Sequence, residues 1–114
     1  MAQVIWTEPA VADLDAIADY IALENRPAAA ALVQRVLAHV EQLVLFPESG
    51  SKPLELGRAT RYRQIVEPPC RVFYRFDGSS VYVLHVMRSQ RRLRTGLLAK
   101  RAQGVAGAGK KPSK

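Results

Sequence analysis

The chain reads as a single small α+β domain in the order β-α-α-β-β-β. Three observations predict this. Two adjoining segments carry apolar residues at three- and four-residue spacing, each opened by a cap-x-Pro signal. Three later segments alternate apolar and polar residues with period two. Turn sequences separate those three segments and nothing else does. At 114 residues with 48% hydrophobic content, the chain is long enough for one packed core. The helix pair then lies on one face of a small, mostly antiparallel sheet, leaving the other face or its open end to carry charge.

Residues 2–7 form a short strand, with Val4 and Trp6 on one side and Ile5 on the other. Thr7-Glu8-Pro9 starts a helix. Threonine caps, glutamate suits the positive end of the helix dipole, and proline is tolerated where the N–H has no partner. Val11, Leu14, Ile17, Ala18 and Ile21 continue it as an amphipathic helix over about 8–24. Asn25-Arg26-Pro27 repeats the signal and opens a second helix over about 27–46, ended by Pro47-Glu48-Ser49-Gly50. Almost no linker separates the two, which makes a helix hairpin. Strands follow at 61–66, 70–76 and 81–87, broken by Glu67-Pro68-Pro69 and Asp77-Gly78-Ser79-Ser80, as in a meander. A short basic helix is expected over 93–103. The domain therefore spans 1–103, and the Gly/Ala/Lys-rich 104–114 reads as a disordered basic tail.

Charge is unevenly spread. The net charge is +7, yet residues 1–50 hold two basic against seven acidic residues, and residues 51–114 hold fifteen basic against three acidic. The two halves thus carry −5 and +12. Such polarity presents one strongly positive face, suited to nucleic acid, acidic protein or an anionic surface. No apolar run is long enough for a membrane span, and the N-terminus has neither the basic region nor the apolar stretch of a leader. A single cysteine, Cys70, excludes an internal disulfide framework. A cytoplasmic protein without membrane contact is expected. No phosphate loop, paired-cysteine motif or His-Glu-x-x-His appears, so no cofactor and no metal are expected.

In order along the chain, V-I-W-T-E-P-A-x-A-D-L-D-A-I-A-D-Y-I (Val4 to Ile21), L-x-x-F-P-E-S-G (Leu43 to Gly50), R-Y-R-Q-I-V (Arg61 to Val66), C-R-V-F-Y-R-F-D-G (Cys70 to Gly78) and V-Y-V-L-H-V-M-R (Val81 to Arg88) resemble the RelE/ParE toxins over about residues 3–92. No single block is specific; their sequence, length and charge together are. The resemblance implies the toxin half of a type II toxin–antitoxin pair, similar to plasmid-stabilisation proteins, that arrests growth and is neutralised by a cognate antitoxin. It also implies one of two targets. ParE-like members poison DNA gyrase by binding it. RelE-like members are metal-independent endoribonucleases that cut messenger RNA on the ribosome.

Ribonuclease chemistry would need a base for the 2′-hydroxyl, cations for the phosphorane and an acid for the leaving 5′-oxygen. The residues available for it are Arg61, Arg63, Arg75, His85 and Arg88, with Lys52 and Glu55 as loop groups. Many RelE-like nucleases resemble one another in a tyrosine or histidine just past the last strand. This chain has Arg88-Ser89-Gln90-Arg91-Arg92 there and no tyrosine after Tyr82, which favours the gyrase-directed reading. Arg71, Arg88, Arg91, Arg92 and Arg94 are then the expected surface for target and antitoxin. The antitoxin segment is expected to be acidic and amphipathic, answering the +12 half. Each feature also has an ordinary explanation. His85 falls on the face of Val81, Val83 and Met87, where a histidine is more often a packed, hydrogen-bonded residue than a catalytic one. Arg88, Arg91 and Arg92 also suit the start of a basic helix. A nontoxic nucleic-acid-binding module rests on charge alone.

Overall fold

The computed structural model describes residues 1–109. The order is β1 (Gln3–Trp6), α1 (Glu8–Ala22), α2 (Arg26–Glu41), β2 (Tyr62–Glu67), β3 (Cys70–Phe76), β4 (Ser80–Arg88) and α3 (Leu97–Gly109). The four strands make one sheet in the order β1-β4-β3-β2. β1 runs parallel to β4, and the rest is antiparallel. The α+β architecture is the one read from the sequence.

Local chemistry explains the helix starts. Thr7 caps α1, its hydroxyl accepting from Ala10 N at 3.4 Å while donating to the Val83 carbonyl at 2.7 Å. One side chain therefore starts the helix and ties it to β4. Asn25 caps α2 through Ala28 N at 3.0 Å. The second helix is shorter than the periodicity suggests. It ends at Glu41 and tightens into a 3-10 turn over Gln42–Val44 before Pro47. The β3–β4 turn is closed by Asp77, whose Oδ1 accepts from Ser79 N and Ser80 N at 3.0 and 2.7 Å, with Gly78 at φ 101°.

Two cores result, one on each sheet face. The first joins Leu14, Leu32, Val36 and Val40 of the hairpin to Val72, Tyr74, Val81 and Val83. The second lies under α3 and joins Phe73, Leu84 and Met87 to Leu93, Leu98 and Ala102. The face expected to stand open with arginines is thus covered. The C-terminal helix starts later than expected, after Gly96 at φ 89°, because Leu93 is drawn into the second core and residues 89–96 turn instead. It also continues to Gly109, so residues 104–109, expected as disordered tail, are helical. Residues 110–114 of the expected tail lie outside the described residues.

β4 carries an irregularity that shapes everything near it. Phe73 faces His85 and Tyr74 faces Val83, so Leu84 is an extra residue in the ladder. The bulge reverses the phase of the strand. Val81 and Val83 point to the hairpin core, whereas His85 and Met87 share the opposite face with Phe73 and Arg71. The expectation that His85 shares a face with Val81 and Val83 is corrected by this one residue.

Candidate functional site

β1 pairs with β4 only from Ser80 to Val83. Among the described residues no strand covers the same edge from Leu84 to Arg88. Two of its backbone groups are met by side chains instead. Asp13 on α1 accepts from Val86 N at 3.1 Å, and Arg101 on α3 donates to the Leu84 carbonyl at 2.9 Å. Arg101 also donates to Asp13 Oδ2 at 2.6 Å, and His85 Nδ1 lies 2.8 Å from that oxygen. The His85 ring stacks on Phe73 at 5.7 Å between centroids. Burial pushes the Asp13 carboxyl up, but hydrogen bonds from His85, Arg101 and Val86 N–H outweigh it and hold the group below the usual carboxylate value. The cluster is ionic and closed on itself: a carboxylate, an imidazole and a guanidinium plugging a strand edge.

Beside this plug a groove of about 780 Å³ runs between α1 and the turn after β4. Arg88, Arg91, Arg92 and Arg94 line it, with Tyr20 and Ile17 from α1 and Leu97 from α3. The turn is held from beneath. Arg91 N donates to the Arg88 carbonyl at 3.0 Å, and Leu93 N donates to Glu55 Oε2 at 3.1 Å. With Leu93 buried, Arg92 and Arg94 on either side are exposed to solvent. Arg88 lies over the Tyr20 ring at 5.5 Å. His85 and Asp13 also border the groove.

The structure separates the arginines that were expected to act together. Arg63 shares a face with Tyr74 on the hairpin side and donates to the Gly50 carbonyl at 2.8 Å. Arg71 is on the other face, held by Glu55 in a two-bond fork at 3.0 and 2.8 Å, and it also donates to Gln64 Oε1 at 2.9 Å. Arg75 lies over the Tyr82 ring at 5.4 Å, and Arg61 is exposed ahead of β2 beside Tyr62. Lys52 is exposed and donates to the Arg58 carbonyl at 2.8 Å. Arg63, Arg71 and Arg75 therefore do not converge on one point: Arg63 lies on one sheet face, Arg71 and Arg75 on the other, and Arg71 is paired with Glu55. What does come together is His85 with Arg88, Arg91, Arg92 and Arg94, around the groove.

Three residues of this region escaped the sequence reading in these roles: Asp13, Glu55 and Arg101. Asp13 is one of several acids on an amphipathic helix. The available signal is its place one residue before the buried Leu14, with Ala10 and Ile17 three and four residues to either side, which puts it at the border of the apolar stripe. Glu55 offered its isolation as one of three acids in the basic half. Arg101 gave no signal apart from its charge. Among the described residues, no three His, Cys, Asp or Glu side chains gather as a metal site, and no helix is long and apolar enough to cross a membrane.

Comparison with known proteins agrees with this architecture. The family model described as "ParE toxin of type II toxin-antitoxin system, parDE" matches residues 4–93. Toxin RelE2 of Caulobacter vibrioides is 34% identical over 91 residues, covering 80% of this chain and 99% of the relative. A solved chain of the chromosomal ParDE toxin–antitoxin system from P. aeruginosa superposes with a TM-score of 0.65 at 28% identity, covering 79% of this chain and 98% of the other. The helix hairpin, the sheet and the turn that builds the groove fall almost entirely inside the matched span, and the chain belongs to the ParE family of the RelE/ParE superfamily, the toxins of type II toxin–antitoxin systems.

Proposed function

We propose that the chain arrests growth from the cytoplasm by binding and poisoning DNA gyrase, and that a cognate antitoxin neutralises it. The observation that carries this reading is the state of the groups a nuclease would use. Cleavage through the 2′-hydroxyl needs an acid, a base and cations converging on one phosphate. Here Arg63 and Arg75 lie on opposite sheet faces, Arg71 is forked onto Glu55, and His85 is held by Asp13 and Phe73. No tyrosine follows Tyr82. A toxin acting by protein contact needs none of that chemistry. The exposed Arg91, Arg92 and Arg94 give it a contact surface. The family model and the P. aeruginosa neighbour are both named for ParDE systems, which supports an antitoxin partner.

Two observations favour the ribonuclease reading. His85 borders the arginine-lined groove, and the C. vibrioides relative carries a RelE name. The experiment that separates the two adds purified chain to gyrase with supercoiled plasmid and ATP, and in parallel to programmed ribosomes with a defined message. Trapped linear plasmid beside an intact message is the expected result. Codon-spaced cuts with normal supercoiling would overturn the proposal, and a chain inert in both assays that does not arrest growth would be a bare binding module.

A further inference from the structure

We infer that the open edge of β1 is a self-association surface, where the β1 strands of two copies of this chain pair antiparallel about a two-fold axis at Ile5 and join their sheets into one. This pairing is independent of the target proposed above.

Two other stretches of sheet edge are covered. On β2, Ser51 and Gln64 exchange backbone bonds at 3.0 and 2.7 Å, and Tyr62 N donates to Thr60 Oγ1 at 3.2 Å. On β4 beyond β1, Asp13 and Arg101 form the plug. β1 has no such cover. Gln3 N and Thr7 N donate to the Ser79 and Val83 carbonyls, so Gln3, Ile5 and Thr7 turn their backbone groups to β4, and Val4 and Trp6 turn theirs outward. Among the described residues, nothing bonds the N–H or carbonyl of Val4 or Trp6 on that side. Natural edges are blunted by charge, proline or a bulge, because free backbone groups are a template for a further strand. Gln3-Val4-Ile5-Trp6 has no charge and no proline.

The occupant that fits is a second β1. With the axis at Ile5, Val4 lies opposite the partner's Trp6, and Trp6 opposite the partner's Val4. Outward groups then meet outward groups, and four main-chain hydrogen bonds form. Val4 and Trp6 both lie on the side of the first core, so each pair is an aromatic side chain beside a β-branched one. On the other face Ile5 meets the partner's Ile5 as the close, non-hydrogen-bonded pair. Moving the axis to Val4 would set the partner's Trp6 beside Ala2, whose N–H already donates to the Val44 carbonyl at 2.8 Å. Moving it to Trp6 would set Val4 against the partner's Glu8, which belongs to α1. The axis at Ile5 is the register that needs only free groups.

Charge permits the approach. A chain of net charge +7 repels its copies, but the repulsion depends on where the cations lie and falls off within a screening length. Residues 1–25 contain no lysine and no arginine. A polyanion or an acidic segment therefore finds no cation on β1 itself, whereas a neutral apolar strand finds its like. Leu45 and Phe46 follow Val44 at the Ala2 end of the edge, and both are exposed. They add apolar area that a pair of four-residue strands lacks by itself.

Sedimentation equilibrium of the full chain tests this, in about 0.3 M salt to screen the net charge. As concentration rises to about 200 µM, the mass should climb from 12.6 kDa towards twice that value and no further, because a two-fold strand pair closes at two. Ile5→Lys and Ile5→Glu each place like charges opposite one another across the axis, and each should weaken the dimer at least about fivefold. An equal mixture of the two should restore it, since Lys then faces Glu. Leu54→Ser, at an exposed position on another loop, should change nothing. If the charged variants melt early, Ile5→Cys keeps the test decisive: it should form a disulfide-linked dimer on mild oxidation, whereas the native chain, whose Cys70 is buried, should not. A native chain that stays monomeric throughout, a mass that grows beyond the dimer, or a dimer that the Ile5 charges leave intact and Ile5→Cys does not cross-link would each overturn the inference.

Discussion

Asp13 and Arg101, 88 residues apart in sequence, meet at 2.6 Å across the uncovered edge of β4. This contact joins the first helix to the last and closes a strand edge that would otherwise leave Val86 N and the Leu84 carbonyl unpaired. Removing one member leaves the other charge half-buried and the edge open. Asp13→Ala should cost about 2–3 kcal/mol, between the cost of an unsatisfied polar group and that of a broken buried pair. Denaturant unfolding measures this. Arg101→Ala should cost a comparable amount, and the double variant less than the sum of the two, because both act through one contact. Additive losses would mean that the two residues act independently.

Acid should weaken the fold through a second pair. The Arg71 guanidinium beside Glu55, aided by Leu93 N–H, lowers its carboxyl from 4.5 to about 2, against an opposing effect of burial. In the unfolded chain the group returns to its ordinary value, so between those two values the unfolded state binds the proton more readily. The stabilisation is therefore complete above about pH 4.5 and is lost as pH falls through about 2. It amounts to about 3 kcal/mol at most. Asp13, also depressed, adds a loss of the same sign. Unfolding free energies measured from pH 6 down to pH 2 should fall steeply in the native chain. In Glu55→Gln the fall should be shallower and the starting value lower. Parallel curves would exclude Glu55 as the source.

Gly50 is fixed by space. Its N–H donates to Tyr74 Oη at 2.9 Å, and a Cβ there would sit 2.6 Å from the Gln64 carbonyl oxygen and 2.7 Å from Tyr74 Oη. The backbone carbonyl cannot give way, so Gly50→Ala should destabilise by about 2–4 kcal/mol. Tyr74→Phe removes only the acceptor and should cost about 1–2 kcal/mol. Thermal melting distinguishes them: the alanine variant should melt lower than the phenylalanine variant.

The sequence carried the helix hairpin and β3 well, because their signals are local. Thr7-Glu8-Pro9 and Asn25-Arg26-Pro27 mark the helix starts within a residue or two, and Cys70–Phe76 is bounded by turns on both sides. β4 was located but not phased. Val81 to Met87 is apolar at almost every position because both faces are buried, so its pattern holds no trace of the extra residue at Leu84. The pairings that matter most at the candidate site join distant parts of the chain: Asp13 to Arg101, and Glu55 to Arg71. Spacing within one element cannot reveal them. A count of acids near the arginines in sequence underestimated the acids near them in space. The groove was legible only as its rim, Arg88 to Arg94. Its floor depends on how α1 and α3 flank the bulge.

His85 offers the sharpest division between packing and chemistry. Its ring is stacked on Phe73, and Nδ1 lies within hydrogen-bonding distance of both Asp13 and Arg101. As a packing residue, its replacement by alanine should lower stability by about 1–2 kcal/mol and leave potency little changed, provided the variant is assayed well below its melting temperature. A general acid or base behaves otherwise: its loss costs about 10²–10⁴ in rate. Induced growth arrest, with toxin level held equal by immunoblot, should therefore change by less than about threefold in His85→Ala, far below the cost of losing a proton-transfer group. It should fall sharply in the charge-reversed R91E/R92E/R94E, whose changes lie at the exposed rim. A loss of 100-fold or more at His85 in a folded variant would instead place this residue among the reacting groups, and the arginine rim beside it would become the cradle of a phosphate.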